Sequence, residues 1–163
     1  MSQNVTQQSN PTQRSWVALL ARGPAAIASP ATRAAVTVLI LIGAIATVGS
    51  GVIHLYLWGQ ANGYRQIPTI GPLFLAQGIS AVVIGLLTAA ARRLVVVLAA
   101  AGLLAATVAG LIFTIEVGMF GFRESWGAPY VRTSLYEEIA GAVVLLIAAW
   151  PLARGRLSGS SPA

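Results

Sequence analysis

The longest apolar run of the chain extends from Pro72 to Ile115, and its only charged residues are the adjacent Arg92 and Arg93. As a single helix this run would be roughly 65 Å long, about twice the hydrocarbon thickness of a bilayer. A helix of that length does not fit across one membrane, so the run must fold into two spans with the arginine pair at a membrane surface. The pattern therefore predicts a hairpin of two transmembrane helices.

The other apolar stretches predict one further span before this hairpin and one after it. Pro72 suits the first position of the second span, because its missing N–H would have no helical partner there in any case. The polar tail at residues 1–33 is expected to be mostly disordered, and residues 153–163 form a second tail. The predicted fold class is an all-α, four-helix transmembrane bundle. Its spans are predicted at 34–58, 72–91, 94–117 and 135–152.

Arginines are concentrated on one side of this predicted topology. Seven of the ten basic residues fall in the two tails or in the short turn between spans two and three, and the other three lie near the two longer loops. Loops rich in arginine stay in the cytoplasm during insertion. We therefore predict a multi-pass protein of the plasma membrane with both termini in the cytoplasm. The predicted topology anchors are Arg33, Arg92, Arg93, Arg154 and Arg156.

Composition supports lipid as the main partner of this chain. Hydrophobic residues make up 56% of the sequence and charged residues only 9%, whereas a soluble domain carries about 25% charged residues. The arginines lie at predicted helix ends instead of forming one patch, so the net charge of +6 indicates anionic lipid and not nucleic acid. The absence of cysteine excludes disulfides and thiol catalysis within the chain. The absence of lysine and aspartate is typical of high-GC bacterial genomes.

Four polar side chains are predicted to meet inside the bundle near the outer ends of the spans. Helical periodicity places each of them on a face that also carries small residues, which indicates a face turned towards other helices. Ionisable groups inside a membrane are costly and mark functional sites by default. The predicted cluster consists of His54, Gln77, Glu116 and Glu138.

Members of this cluster also have structural interpretations. A single histidine such as His54 is more often a hydrogen-bonded packing residue than a ligand. Glu116 is close enough in sequence to pair with Arg123 or Arg132 at the membrane interface. One histidine and two glutamates can hold a divalent ion, but the sequence has none of the close His/Glu spacings that are typical of metal sites. We therefore predict neither a metal nor another cofactor.

Two further patterns lie at the predicted outer side. Ser134 and Glu137 have the spacing of a capping box, so they are predicted to satisfy backbone donors at the start of span four. The two outer loops combine aromatic residues with arginine, a composition favoured at binding hot spots. The loops are either an ordered cap on the bundle or a docking surface for an extracytoplasmic partner. The candidate docking residues are Tyr64, Arg65, Arg123, Trp126, Tyr130 and Arg132.

Small residues repeat at three- and four-residue steps along the first three spans. Such stripes let helix backbones approach closely in a membrane. Packing within the bundle is the favoured interpretation, and docking of another membrane subunit is the alternative. The stripes comprise Gly43, Thr47, Ser50, Gly51 and His54 in span one, Ala81, Gly85 and Ala89 in span two, and Gly102, Ala106 and Gly110 in span three.

Several segments of the chain resemble a known group of membrane proteins. They are GVIHLYLW at 51–58, GYRQIPTIGPLF at 63–74, GFRE at 121–124 and PYVR at 129–132. Together they are similar to small, uncharacterised four-span proteins of high-GC Gram-positive bacteria, over residues 34–150. In size and layout the chain also resembles the DoxX-like group. Both resemblances imply the four-span topology and neither implies an activity.

Two functions of different classes are compatible with these patterns. The favoured one is a non-enzymatic accessory subunit of a larger membrane complex, with a respiratory or other energy-transducing complex as the expected host. It depends on the small-residue stripes, the aromatic and arginine-containing loops, and the absence of a catalytic motif. The alternative is a small membrane enzyme or carrier that uses the outer His/Glu/Gln cluster for a quinone, a lipid headgroup, a proton or an ion.

Overall fold

The computed structural model describes residues 11–154, which form five α-helices and two short 3₁₀ turns. Helices α2 to α5 are each long and apolar enough to cross a membrane. This confirms the all-α four-span bundle and makes the chain a membrane protein. The helices are α1 (Pro11–Leu20), α2 (Pro30–Gly59), α3 (Ile70–Ala91), α4 (Leu94–Glu116) and α5 (Val131–Arg154), with 3₁₀ turns at Pro24–Ala26 and Tyr64–Gln66.

Three of the four long helices start earlier than predicted, and α3 begins at Ile70, so Pro72 occupies its third position and not its first. Helix α2 begins at Pro30 because Ser29 caps it, its side chain accepting a hydrogen bond from the backbone N–H of Thr32 at 3.4 Å. Helix α5 begins at Val131, so Ser134 lies inside the helix, with its N–H donating to the carbonyl of Tyr130 at 2.8 Å. The predicted capping box of Ser134 and Glu137 is therefore wrong.

The four long helices form a ring in which α2 packs against α3 and α5, and α4 packs against α5 and α3. We call the end of the bundle at the Arg92–Arg93 turn the arginine end, and the end with the loops 60–69 and 117–130 the loop end. The apolar core lies towards the arginine end, where Ile40, Leu104 and Leu145 are fully buried. The contact between α3 and α4 is the least extensive of the four.

Glycines bring α2 and α3 into close contact, as predicted from their small-residue stripes. A Cβ atom placed on Gly51 would lie 2.8 Å from the carbonyl oxygen of Gly78, and one placed on Gly85 would lie 2.6 Å from the Val48 side chain. The stripe of α4 behaves differently, because Gly102 is exposed and a Cβ there would have no neighbour within 4 Å. Packing within the bundle is thus confirmed for α2 and α3 but wrong for α4.

The segment before α2 crosses the arginine end of the bundle and is held there by hydrogen bonds. Arg93 donates to the carbonyl of Ala21 at 2.8 Å, and the N–H of Leu94 donates to the carbonyl of Arg22 at 2.7 Å. Ile27 is buried in the core. The prediction of a mostly disordered tail is therefore wrong for residues 11–29, because apolar burial and these bonds order them; residues 1–10 lie outside the described part.

The predicted topology anchors within the described residues all lie at the arginine end. Arg33 donates to the carbonyl of Ile27 at 2.9 Å and 3.3 Å, and Arg92 donates to a carbonyl in the last turn of α3 at 3.0 Å. The guanidinium of Arg154 lies 3.8 Å from the centre of the Trp150 ring. Arg156 lies outside the described residues, and the orientation of the bundle across the membrane stays a prediction.

Candidate functional site

A cavity of about 390 Å³ lies at the loop end, between α3 and α4. Its volume falls within the range of small-molecule sites in proteins, roughly 300–1,000 Å³. Apolar side chains form most of its wall, and several hydroxyl, amide and ionisable groups interrupt them. The lining includes His54, Phe74, Gln77, Ser80, Ala106, Thr107, Gly110, Leu111, Thr114, Met119, Phe122 and Glu124.

The mouth of this large cavity lies on the outer surface of the bundle. Leu73 and Ala76 of α3 and Ala106 of α4 line the cavity and are also exposed on the outer surface of the bundle. Ser80 lies about 15 Å along α3 from the start of the helix, at 1.5 Å per residue. This distance is half the thickness of a hydrocarbon layer of about 30 Å. A lipid-soluble molecule therefore has a sideways path from the bilayer into the cavity.

A hydrogen bond links α3 and α4 on the cavity wall. The side-chain amide of Gln77 donates to the hydroxyl oxygen of Thr107 at 2.6 Å, and the Thr107 hydroxyl donates to the carbonyl of Leu103 at 2.9 Å. This confirms a bundle-facing position for Gln77 and gives it a partner that the sequence analysis did not identify. The bond holds the two helices together at a point where their packing is sparse.

A second cavity of about 40 Å³ lies behind the first, and the two share His54, Phe74, Thr107, Leu111 and Glu124 as lining residues. The small cavity is large enough to hold at least one water molecule. Additional lining residues of this small cavity include Tyr64, Tyr130, Ser134 and Glu138.

Glu138 is completely buried and lies against α2. Its Oε1 accepts a hydrogen bond from the hydroxyl of Ser50 at 2.6 Å, whereas its Oε2 has no hydrogen-bond partner among the described residues. The Nδ1 of His54 lies 2.8 Å from the carbonyl oxygen of Ser50. A carbonyl only accepts, so Nδ1 carries the hydrogen and Nε2 of the neutral ring is an acceptor. Ser50 thus brings His54 and Glu138 together through its backbone and its side chain.

Tyr64 lines the small cavity and packs on Phe74, which lines both cavities. Its ring stacks on Phe74 with centroids 4.0 Å apart and an interplanar angle of 9°, and the edge of Phe122 approaches it at 5.9 Å. Its hydroxyl donates to Oε2 of Glu124, whose Oε1 accepts from the backbone N–H of Ser125 at 2.8 Å. This bond joins the two loops, which is the ordered cap that the sequence analysis considered.

Burial raises the pKa of Tyr64 well above its ordinary value, and the hydrogen bond to Glu124 and the negative charge of that carboxylate raise it further. Tyr64 therefore stays protonated between about pH 9 and about pH 11, where a free tyrosine ionises. We expect Tyr64→Phe to leave the change in absorbance at the tyrosinate band over this range unchanged. A smaller change in the variant would show that Tyr64 ionises normally and that its contact with Glu124 is not maintained.

The same shift sets the pH range in which the Tyr64–Glu124 bond stabilises the protein. The folded-state pKa of Tyr64 lies above its unfolded-state pKa, so the bond stabilises the protein fully below about pH 10. This stabilisation is lost only as the pH rises through the folded-state pKa of Tyr64.

Of the four residues in the predicted cluster, Glu116 is misplaced. It is exposed at the end of α4 and lines neither cavity. Helix α4 is apolar on all sides, so its periodicity did not show which side faces the bundle. Arg123 does approach this residue, but through the backbone: its guanidinium donates to the carbonyls of Ile115 at 3.0 Å and of Glu116 at 2.9 Å.

Glu137 packs against α2 at a glycine. A side chain at Gly49 would overlap the carboxylate of Glu137, so the absence of a Cβ there makes room for this half-buried group. The residue therefore lies between α2 and α5 instead of capping the helix.

The candidate docking residues separate into two groups. Tyr64 and Tyr130 make contacts within the bundle, and the ring of Tyr130 meets that of Tyr56 edge-on at 5.7 Å. The guanidinium of Arg123 donates to backbone carbonyls at the end of α4, as described above. Tyr130 and Arg123 are still exposed, so of the six candidates only Tyr64 is withdrawn from a docking surface. The other three candidate side chains are also exposed. They are Arg65, Trp126 and Arg132.

Sequence reasoning missed three residues of the site. Ser50 was recognised as a small residue on a packing stripe but not as the partner of Glu138, which lies 88 positions away. Thr107 and Glu124 were not proposed as site residues at all. Their only signal was position, since Thr107 directly follows Ala106 of the α4 stripe and Glu124 follows an arginine in an aromatic loop.

Within the described residues, no three His, Asp or Glu side chains come close enough together to hold a metal ion. No protein-family model matches the chain, and no curated protein or solved structure is significantly similar to it. Interpretation of the site therefore depends on its own geometry.

Proposed function

We propose that this protein binds a lipid-soluble small molecule in the large cavity, as a membrane carrier or binding protein. The observation that carries the proposal is the cavity of about 390 Å³ with its mouth between α3 and α4. With both termini in the cytoplasm, as the arginine distribution predicts, the cavity would lie in the outer leaflet of the bacterial plasma membrane.

The lining suits an amphipathic ligand. Leu73 and Leu111 provide apolar surface near the mouth, and Gln77, Thr107 and Glu124 provide polar groups. A few polar groups in an otherwise apolar pocket are typical of sites that fix the orientation of a small molecule. Met119 and Phe122 of the loop hairpin line the cavity on its loop side, and the mouth between α3 and α4 makes the bilayer the favoured route of entry.

Two glycines of α4 allow a matched test of this proposal. A Cβ at Gly110 or at Gly102 would meet nothing within 4 Å, but Gly110 lines the cavity and Gly102 does not. Gly110→Leu should fill the cavity and lower the affinity for a neutral fluorescent probe, N-phenyl-1-naphthylamine, by about tenfold or more, equivalent to about 1.4 kcal/mol. Gly102→Leu should bind the probe like the wild type.

Binding would be measured in lipid nanodiscs, after subtraction of the probe taken up by empty nanodiscs. Mass spectrometry of solvent extracts from the same preparations should detect a co-purifying small molecule that is depleted in Gly110→Leu. Equal probe binding and equal extracts in both variants would contradict the proposal.

A second candidate is the accessory subunit of a membrane complex. It is favoured by the exposed small residues Gly102, Ala105 and Ala109, which leave one side of α4 free for close approach by another helix. The same variants separate the two functions: Gly102→Leu would then remove the protein from a larger complex in native electrophoresis, and Gly110→Leu would not. An energy-transducing host for such a subunit remains a prediction.

A further inference from the structure

We infer that the ligand of the large cavity carries a positive charge, so that the site takes a lipid-soluble organic cation. This rests on the proposed function and adds the chemical class of the ligand. The positive group would lie at the boundary between the two cavities, near Glu124 and Glu138.

The charged groups around the two cavities are negative. Glu124 lines both cavities and Glu138 lines the small one, whereas no arginine of the described residues lines either. The three arginines of the loop end are directed elsewhere. Arg65 and Arg132 are exposed, and Arg123 donates to backbone carbonyls at the end of α4. An anionic headgroup would enter this site without a counter-charge.

Several ionisable and hydrogen-bonding groups that line the cavities present acceptor atoms. Nδ1 of His54 is used by the carbonyl of Ser50, which leaves Nε2 as an acceptor in the neutral ring. The amide of Gln77 already donates to Thr107. Both oxygens of Glu124 accept bonds, and Oε2 of Glu138 has no partner among the described residues. A ligand with a positive charge or with N–H donors complements this wall.

Glu138 gives the strongest reason for a cation. A buried carboxyl group without a compensating charge takes up a proton, because the ionised form would lose several kcal/mol of solvation free energy, and a nearby positive group stabilises the ionised form instead. The side chain of Glu138 is 0% exposed, and within the part of the chain that the structure describes it accepts one hydrogen bond, from Ser50. A positive group within the cavities would therefore favour the carboxylate form of Glu138 and be attracted to it.

Aromatic rings provide the remaining surface for an organic cation. Phe74 and Phe122 line the large cavity, and Tyr64 stacks against the first of them at 4.0 Å. The face of an aromatic ring attracts a nearby cation, more strongly where water is excluded. The combination of carboxylates, acceptors and rings therefore favours an organic cation over a hydrated metal ion.

The test uses two probes of nearly the same shape and opposite charge, tetraphenylphosphonium and tetraphenylborate. Binding to the full-length protein in nanodiscs of zwitterionic lipid is measured by equilibrium dialysis and corrected for empty nanodiscs. We expect the cation to bind at least about tenfold more tightly than the anion. Gly110→Leu should remove cation binding.

Three glutamates provide the controls for charge. Glu124→Gln and Glu138→Gln should each weaken cation binding by about tenfold or more, since each removes a negative charge next to the ligand. Glu116→Gln removes the same charge from the same end of the bundle but outside both cavities, so it should leave binding unchanged. Gel filtration of each variant reports the amount of folded protein. If only one of Glu124→Gln and Glu138→Gln folds, its effect on cation binding is sufficient for the test.

Each outcome decides one of the two claims. Equal binding of the two ions, or tighter binding of the anion, with loss of both in Gly110→Leu, would overturn the positive charge and retain the cavity as a binding site. Absence of binding for both ions and for N-phenyl-1-naphthylamine would overturn the proposed function as well. Dodecyltrimethylammonium identifies the source of the ligand: tighter binding than the phosphonium indicates a lipid-like cation, and weaker binding a compact organic cation.

Discussion

Gly51→Leu is expected to lower the free energy of unfolding by about 3 kcal/mol or more, the largest effect on stability anticipated for this protein. A Cβ atom at Gly51 would lie 2.8 Å from the carbonyl oxygen of Gly78 and 2.9 Å from the backbone nitrogen of Val82. These are backbone atoms and cannot rotate away, so α2 and α3 would have to separate. Separation loses their close contact, and the leucine side chain adds further overlap.

Unfolding by sodium dodecyl sulfate in mixed micelles, followed by circular dichroism, measures this effect. Gly102→Leu is the matched control, because it makes the same substitution in a transmembrane helix where a Cβ has no neighbour within 4 Å. It should change stability by less than about 0.5 kcal/mol. Similar losses in the two variants would contradict the close packing of α2 on α3.

Ser50→Ala is expected to destabilise the protein by about 2–3 kcal/mol, in the range measured for hydrogen bonds to charged groups. Among the described residues, the Ser50 hydroxyl makes the only hydrogen bond to the Glu138 carboxyl, and both residues are completely buried. Without it, neither oxygen of the Glu138 carboxyl would have a protein partner. Ser134→Ala serves as the control, since it removes a buried hydroxyl one helical turn from Glu138.

A double-mutant cycle isolates the contribution of this bond. In a Glu138→Leu background, Ser50→Ala should cost much less than in the wild type, because the bond is already absent. The same cost in both backgrounds would show that Ser50 contributes through packing alone. Ser134→Ala should lower the free energy of unfolding by less than the roughly 1 kcal/mol that the loss of a helix cap costs. A small loss would agree with the position of Ser134 inside α5 and not at its N-cap.

Gly51 and Ser50, the residues changed in these two predictions, are adjacent in α2 and together position the site. Gly51 places α2 against α3, and the adjacent Ser50 points to α5 and fixes Glu138. His54, one turn later, is tied to the carbonyl of Ser50 and contacts the ring of Phe74 at 5.0 Å. One tightly packed stretch of α2 therefore positions both ionisable groups at the inner wall of the cavities, while α3 and α4 stay apart beside it.

Much of the fold was predictable, and the reason is specific to membranes. A span is recognised from the length of an apolar run, since the bilayer has a fixed thickness. The predicted spans α3 and α4 end within two residues of their observed bounds. The starts of α2 and α5 were less accurate, because Ser29 and the turn at Tyr130 set them locally. The N-terminal segment was missed because its order depends on contacts with Arg93 and Leu94.

The candidate site was only partly predictable. His54 and Glu138 were identified because they share helix faces with small residues, and those faces do turn inward. Glu116 was assigned to the cluster by the same reasoning, but small residues lie on more than one side of α4. When a helix is apolar all round, its hydrophobic pattern carries no information about its rotation. The neighbouring helices decide that rotation, and they place Thr107 and Gly110 at the cavity instead.

The sequence alone determined that the chain crosses a membrane four times, where its arginines concentrate and which polar residues lie at membrane depth. Each of these properties depends on residues close together along the chain, through helix length, hydropathy and periodicity. Only the tertiary structure decided that α2 packs closely on α3, that α3 and α4 enclose a cavity, and that Ser50 meets Glu138. Such contacts depend on the rotation of each helix against its neighbours, and a helix that is apolar on all sides does not encode that rotation. In lipid, the fit of small side chains and a few hydrogen bonds sets it in place of the hydrophobic effect.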